Sequence, residues 1–290
     1  MADCTDSKQN LSKSRCSKLP ALPLYMITTP DDFVLTDANL ASASALRTKL
    51  QDSLEGPVDE RIYLWPKFSN AEDASEETVY SESPFGSRKI RDGNYRFKFM
   101  ISKSLCLHKA MFSHSGTGGR VIIIDSERQI LLTEDSDGNY RGLSLDLLNV
   151  EKIKINMGDV LTESPVYVSL ADNKEIDESG FLFDCTIVNE LEPLTDVDLV
   201  VSAVSAADFT VTVTQKCDGT PVSGLVAADF VVTNNAGAAQ TVNTVTEGDD
   251  GVYLVDASTT FIDGFVDLVA PVDLSLHAYE STGAQVVNVP

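Results

Sequence analysis

Asp135, Asp137 and Asn139 occupy the first, third and fifth positions of a calcium-loop pattern, and Asp146 falls at the twelfth. Carboxylates at those offsets wrap a hard cation, but the loop also needs glycine at its sixth position for a sharp bend, and Tyr140 stands there. A solvated Asp137-Gly138 hairpin turn accounts for the segment without a metal. Gly116-Thr117-Gly118-Gly119 shares the composition of a phosphate cradle. It precedes a strand-like run, not a helix, and no Gly-Lys-Ser/Thr follows, so backbone N–H groups and a lysine would not converge on a phosphate. Cys106 and His108 are two residues apart and His114 lies six further on; on a helix neither spacing shares a face, which argues against a thiolate–imidazole pair or a zinc site. His277 alternates with Leu274, Leu276 and Ala278 and is expected to point outward from a strand. The pairs Glu72-Asp73 and Asp249-Asp250 read as solvated loops. The residue pattern therefore supplies no catalytic, cofactor-binding or metal-ligating set, and a non-enzymatic role is expected.

The elements around these residues are mostly strands. Residues 1 to 20 are polar and rich in Lys and Ser, and read as an arm with too little apolar surface to fold alone. Residues 21–30 are apolar but punctuated by Pro23 and Pro30, so an extended run is expected. Thr36 is suited to cap a helix in which Leu40, Ala43, Leu46, Leu50 and Leu54 recur at helical spacing until Gly56-Pro57. Ile62 to Trp65 reads as a short strand and Asn70 to Glu77 as an acidic loop. Thr78 to Ser81 and Arg88 to Ile101 form a hairpin that turns Tyr95, Phe97, Phe99 and Ile101 inward. A second helix spans Ser104 to Ser113. Val121-Ile122-Ile123-Ile124 is the most apolar run, and strands are expected at 130–133, 142–150, 153–155, 166–170 and 181–188. Many strands with two helices predict a mainly β fold, an antiparallel sandwich or barrel carrying one or two helices over residues 21–192.

After the linker Glu190 to Thr195 the pattern changes. Phe209, Val211 and Val213 alternate with Thr210, Thr212 and Thr214, the mark of a strand with one dry face. An Asp218-Gly219-Thr220-Pro221 turn, the run Phe230-Val231-Val232 and the segment Gly248 to Val255 follow at short spacing, which predicts a second β-sandwich over 196–290.

Charge limits the partners. The 290 residues carry a net charge of −22, and Lys216 is the one basic residue after Thr195. Such a surface repels nucleic acid and anionic membrane, so a basic groove tracking phosphates is not expected. The five cysteines, Cys4, Cys16, Cys106, Cys185 and Cys217, are odd in number and scattered, which reads as reduced thiols and assembly in a cytoplasm. The polar start Met1-Ala2-Asp3-Cys4-Thr5-Asp6 lacks the apolar centre of a signal peptide, and no run approaches the length of a membrane span.

Two stretches resemble known families. Asp218-Gly219-Thr220-Pro221-Val222-Ser223-Gly224-Leu225, the following Phe230-Val231-Val232 and the later Asp250-Gly251-Val252-Tyr253 resemble bacterial immunoglobulin-like repeats, whose glycine- and proline-bearing turn leads to a Phe-centred strand. Arg61 to Pro66, Glu77 to Gly86, Gly93 to Phe97 and Arg141 to Lys154 make residues 21–190 similar to virion proteins of tailed phages, especially those infecting Bacteroidota. Within that class the order of body, helix, hairpin and C-terminal sandwich is similar to the tail tube subunit of lambda-like siphophages. The resemblance implies a virion structural protein, assembled in the host cytoplasm, whose hexameric rings stack around a channel that DNA passes without specific binding. In those tails the arm and hairpin bridge rings and the immunoglobulin-like domain projects outward, with weak glycan contact left open. A head-associated decoration or auxiliary protein and a cell-surface adhesin are the alternatives. The 196–290 fragment is expected to fold alone. A cooperative thermal transition of that fragment by circular dichroism checks it, and a fragment without one would refute the boundary.

Overall fold

A computed structural model of the chain describes residues 19–83, 86–116, 118–155, 161–202, 204–205, 208–257, 263–274 and 277–288. The expected arm at residues 1–20 therefore falls outside the described residues except for Leu19 and Pro20, as do Pro84, Phe85, Thr117 and Leu276. The fold is mainly β, and it divides into two compact units, Met1–Leu191 and Glu192–Pro290.

The first unit is organised by strands whose two faces are both dry. β1 (Pro23–Thr29) pairs with β2 (Tyr63–Leu64). β3 (Asn70–Asp73) leads into the hairpin strands β4 (Val79–Ser83) and β5 (Gly86–Arg91), and β6 (Arg96–Ile101) returns to the wall. β7 (Arg120–Asp125), β8 (Gln129–Glu134), β9 (Tyr140–Arg141), β10 (Leu143–Val150), β11 (Ser164–Leu170) and β12 (Gly180–Asp184) complete the set. β7 lies between β1 on one side and β8 and β10 on the other. β10 pairs with β7 through Leu143 and Ser144, then with β11 from Leu145 onward, across a register shift between Leu145 and Leu147. A strand that changes partner across such an irregularity turns the corner of a barrel. β11 pairs with β6, and β6 with β3. The circuit returns to β1 because Trp65 N–H donates to the Met26 carbonyl and Phe68 N–H to that of Leu24, just before Ser69 N–H donates to Met100.

Alternation then sorts the side chains. Met26, Val121 and Ile123 pack with Trp65, Phe99 and Val166 in one core, whereas Ile27, Ile122 and Ile124 pack with Leu46, Leu50 and Leu54 in another. Those three leucines lie on α2 (Ala43–Leu54), which is preceded by the short α1 (Asp37–Leu40). The single helix expected from Thr36 is thus two. Ser42 breaks it by capping α2, its hydroxyl accepting from the Ala45 N–H at 3.1 Å. α3 (Leu105–Ser113) begins at its Ser104 cap as the spacing predicts, and α4 (Glu175–Ser179) is a short addition. Residues 70–73 form a strand where a loop was expected, since β6 offers an open edge. The strand expected at 153–155 reduces to a bridge between Lys154 and Glu163, and the run to 188 stops at Asp184 before a 3-10 turn, Val188–Glu190.

The second unit is a two-sheet sandwich. β13 (Thr195–Ser202), β14 (Asp208–Gln215), β17 (Val242–Glu247), β18 (Val252–Ala257), β20 (Val272–Leu274) and β21 (His277–Ser281) make one sheet. β15 (Phe230–Asn234), β16 (Ala239–Gln240), β19 (Asp263–Leu268) and β22 (Gln285–Asn288) make the other. Phe209, Val211 and Val213 are fully buried between the sheets, as their alternation requires, with Tyr253 and Val255 beside them on β18 and Val266 on the facing sheet.

The α2 contact is the seal over the outer face of β1 and β7. Leu50→Ala, at a side chain 1 % exposed, is expected to destabilise the first unit by about 2–5 kcal/mol. Urea unfolding followed by tryptophan fluorescence reads this directly, because Trp65 belongs to that unit.

Candidate functional site

The feature that projects from the body grows out of the barrel wall. From Asn70↔Met100 to Asp73↔Phe97 the two strands pair in one register, and Ala74 and Glu76 keep it by donating N–H bonds to the Arg96 and Asn94 carbonyls. The same register resumes at Val79↔Arg91, and shifts by one residue at Tyr80↔Lys89, which leaves Ile90 as the bulged residue. Residues 70–101 are therefore one antiparallel ribbon whose near half is wall and whose far half is free. At ~3.3 Å per residue the part beyond Asp73 reaches about 30 Å. Among the described residues β4 and β5 pair only with each other. Every described side chain on them is exposed, including Tyr80 at 59 % and Ile90 at 63 %.

Arg88, Lys89 and Arg91 make this the basic projection of an acidic protein. At its neck, Glu76 spans both halves: one carboxylate oxygen lies 2.9 Å from Arg96 Nη1 and the other 3.7 Å from Arg91 Nη2. Lys89 pairs with Asp92. Gly93 is required here, since a Cβ would stand 1.7 Å from the Glu76 carbonyl oxygen.

Beside the neck lies a polar cleft of about 350 Å3 lined by Glu76, Asp92, Tyr95, Lys174, Asp177 and Glu178, among others. The Tyr95 hydroxyl donates to Asp177 at 2.9 Å, and burial followed by that carboxylate raises the phenol above its ordinary range. Glu178, 3.1 Å from Lys174, raises the ammonium by hydrogen bonding to its charged form. The far wall, α4, is anchored by Glu175, which accepts from the Ser144 N–H and hydroxyl at 2.6 Å each and lies 3.3 Å from Arg120.

The residues singled out from sequence do not converge. The Asp135 carboxylate accepts from the Asp137 and Asn139 N–H groups and from Arg141, all at 2.9 Å. The Asn139 N–H leads in holding it below the ordinary carboxylate range. That is a saturated turn, with its anionic charge met by Arg141. Gly116 N–H donates to the Leu148 carbonyl, so the glycine loop is tied to β10. His108 Nδ1 lies 3.0 Å from the Ser164 hydroxyl, while His114 packs edge-on against Tyr63 at 4.5 Å and burial lowers its pKa. His277 is exposed. Glu72 and Asp73 belong to β3, where solvated loop was expected.

The expectation of reduced thiols is corrected. Cys106 and Cys217 are each disulfide-bonded, and Cys185 is the free cysteine among the described residues. Burial pushes the Cys185 thiol up to about 11, which makes it inert. Among the described residues no group of His, Cys, Asp or Glu is placed to hold a metal ion, and no helix is long and apolar enough to cross a membrane.

In the second unit, the glycine–proline turn proves to be a hydrogen-bonded knot. The Tyr253 hydroxyl, on a ring that is fully buried, donates to the Val222 carbonyl at 2.6 Å and accepts from the Leu225 N–H at 3.3 Å. Glu247 accepts from the Gly224 N–H at 3.0 Å and the Gly251 N–H at 3.2 Å. Gly251 has φ 72°, and a Cβ there would meet the Val213 carbonyl oxygen at 2.8 Å, so only glycine closes the turn. The motif residues thus hold the fold.

No protein-family model matches this sequence, and no curated protein matches it.

The knot gives the second unit a defined pH range. Burial works against ionisation of Glu247, but its N–H donors and the Ser223 and Tyr253 hydroxyls outweigh it, holding the carboxyl below its ordinary 4.5. Its stabilisation is complete above pH 4.5 and lost as pH falls through the lower folded value. Tyr253 is pushed from 10.0 up to about 12, first by burial. Its share is complete below pH 10 and lost as pH rises from 10 towards 12. Thermal melts of the second unit are expected to be flat between these limits. Glu247→Gln should flatten the acid limb and Tyr253→Phe the alkaline one, and unchanged limbs would refute the assignment.

Proposed function

We propose that this protein is a non-enzymatic structural subunit of a bacteriophage virion, the tail tube protein of a long-tailed phage, which self-assembles into stacked rings around a DNA channel. The observation that carries the reading is the free ribbon: an exposed basic hairpin with apolar Tyr80 and Ile90, rooted in the wall of a rigid barrel. An isolated hairpin is marginal in water and gains by pairing its open edges with another chain. In a chain of charge −22, a basic strand finds complementary surface on any second copy. A hexameric ring repeats that contact with closed symmetry. Acidic residues facing a channel would let DNA slide without gripping it. The second unit, with its own core and a single Lys216, suits an outward decoration that assembly does not need.

Replacing residues 80–90 by a two-residue Asn-Gly turn is expected to leave the melting temperature of the barrel within a few degrees and to abolish tubes in negative-stain electron micrographs. A chain lacking residues 192–290 should still form rings. Unimpaired tubes from the shortened hairpin would overturn the reading. Monomers or trimers that bind empty capsids would favour a head-associated protein instead, and sugar binding by an isolated monomer an adhesin.

A further inference from the structure

The neck of the ribbon has a property that assembly alone does not explain. The strand ladder lapses at 74–78 and 92–95, yet the pairing register survives from Asp73↔Phe97 to Val79↔Arg91. What carries it across is backbone contact at Ala74 and Glu76, the close seat of Gly93 and the Glu76 carboxylate bridging Arg91 and Arg96. The adjoining cleft is not built to recruit a charged ligand, because its carboxylates have partners within the chain: Glu76 with the two arginines, Asp92 with Lys89, Asp177 with the Tyr95 hydroxyl and Glu178 with Lys174. Its volume of about 350 Å3 is open space between the stem and α4. The α4 side is fixed by Glu175 on Ser144 and Arg120, so the movable wall is the stem.

We propose that residues 74–78 and 92–94 form a hinge about which β4 and β5 swing as one body, closing the cleft against α4, with Tyr95 fixed to β11 and Asp177, and that Glu76 is the latch holding the open position. The inference stands apart from the virion reading, since it concerns one chain before any contact with another. A hinge that preserves register lets a hairpin change direction without losing its own hydrogen bonds, and Glu76 can act as a latch because it bridges the distal Arg91 and the proximal Arg96.

The test is a pair of nitroxide amino acids at Ser81 and Asp172, introduced by codon reassignment so that native cysteines are untouched, with distances read by pulsed electron resonance in the dispersed protein. Two distance populations are expected. Glu76→Gln should raise the shorter one relative to the longer about two- to fivefold, the range of a partly exposed ion pair, and Arg91→Gln should shift it less in the same direction. Amides of β4 and β5 should exchange at the same rates in the variants as in the wild-type chain. A distribution that Glu76→Gln leaves unchanged overturns the proposal, and so does a shift accompanied by faster exchange, which would mean melting instead of swinging.

Discussion

Burial of both faces of β7 is the constraint on which the first unit depends. Val121 and Ile123 fill the barrel while Ile122 and Ile124 receive α2, so one four-residue run holds two cores in fixed relation. Non-directional apolar burial, at about 25 cal/mol per Å2, supplies the energy, but alternation supplies the order. A one-residue slip of β7 would exchange the side chains of the two cores at once. Everything that projects from the barrel inherits its position from that register: β1 and β2 on one side, β10 turning the corner on the other.

Polar groups then hold the parts that burial cannot. Asp125, 3 % exposed, accepts from the Glu127 and Gln129 N–H groups and from the Ala21 N–H, each at 2.9 Å. It thereby pins the β7–β8 turn, where Arg128 takes φ 61°, to the chain entering β1. Glu175 does the same for α4, and Glu247 with Tyr253 for the turn of the second unit. In each case a carboxylate or hydroxyl satisfies backbone groups at a turn or chain crossing that the strand ladders do not pair. These polar contacts fix the geometry of turns and chain crossings.

The division between what sequence revealed and what it hid follows from the range of the interactions. The sandwich strand Phe209–Thr214, the apolar run at 121–124, the helix from Ser104 and the existence of a hairpin near 78–91 were all legible, because each is written in local periodicity or turn chemistry, whereas Arg96–Ile101, expected in that hairpin, pairs with β3 and β11 instead. Asn70–Asp73 was not, since Asn, Glu and Asp have poor strand propensity and are held there by an edge supplied by β6. The buried carboxylates escaped notice for a related reason: Asp125 meets Ala21, and Glu175 meets Arg120 and Ser144, across long stretches of chain. Glu76 looked like one acid in an acidic loop until Arg91 and Arg96 were brought to it. Cysteine parity was a poor guide as well, because oxidation depends on which sulfurs meet in space, which spacing does not encode.

The continuous register of the ribbon has an evolutionary corollary. Its two strands keep one register from the barrel wall outward, held by the Ala74 and Glu76 N–H bonds where the ladder lapses and offset by one residue at Ile90. An arm of this construction can lengthen or shorten only by matched changes in both strands, or by adding another bulge. Relatives with a different reach should therefore differ by even numbers of residues between the Asp73 and Phe97 positions, with odd differences marking a gained or lost bulge.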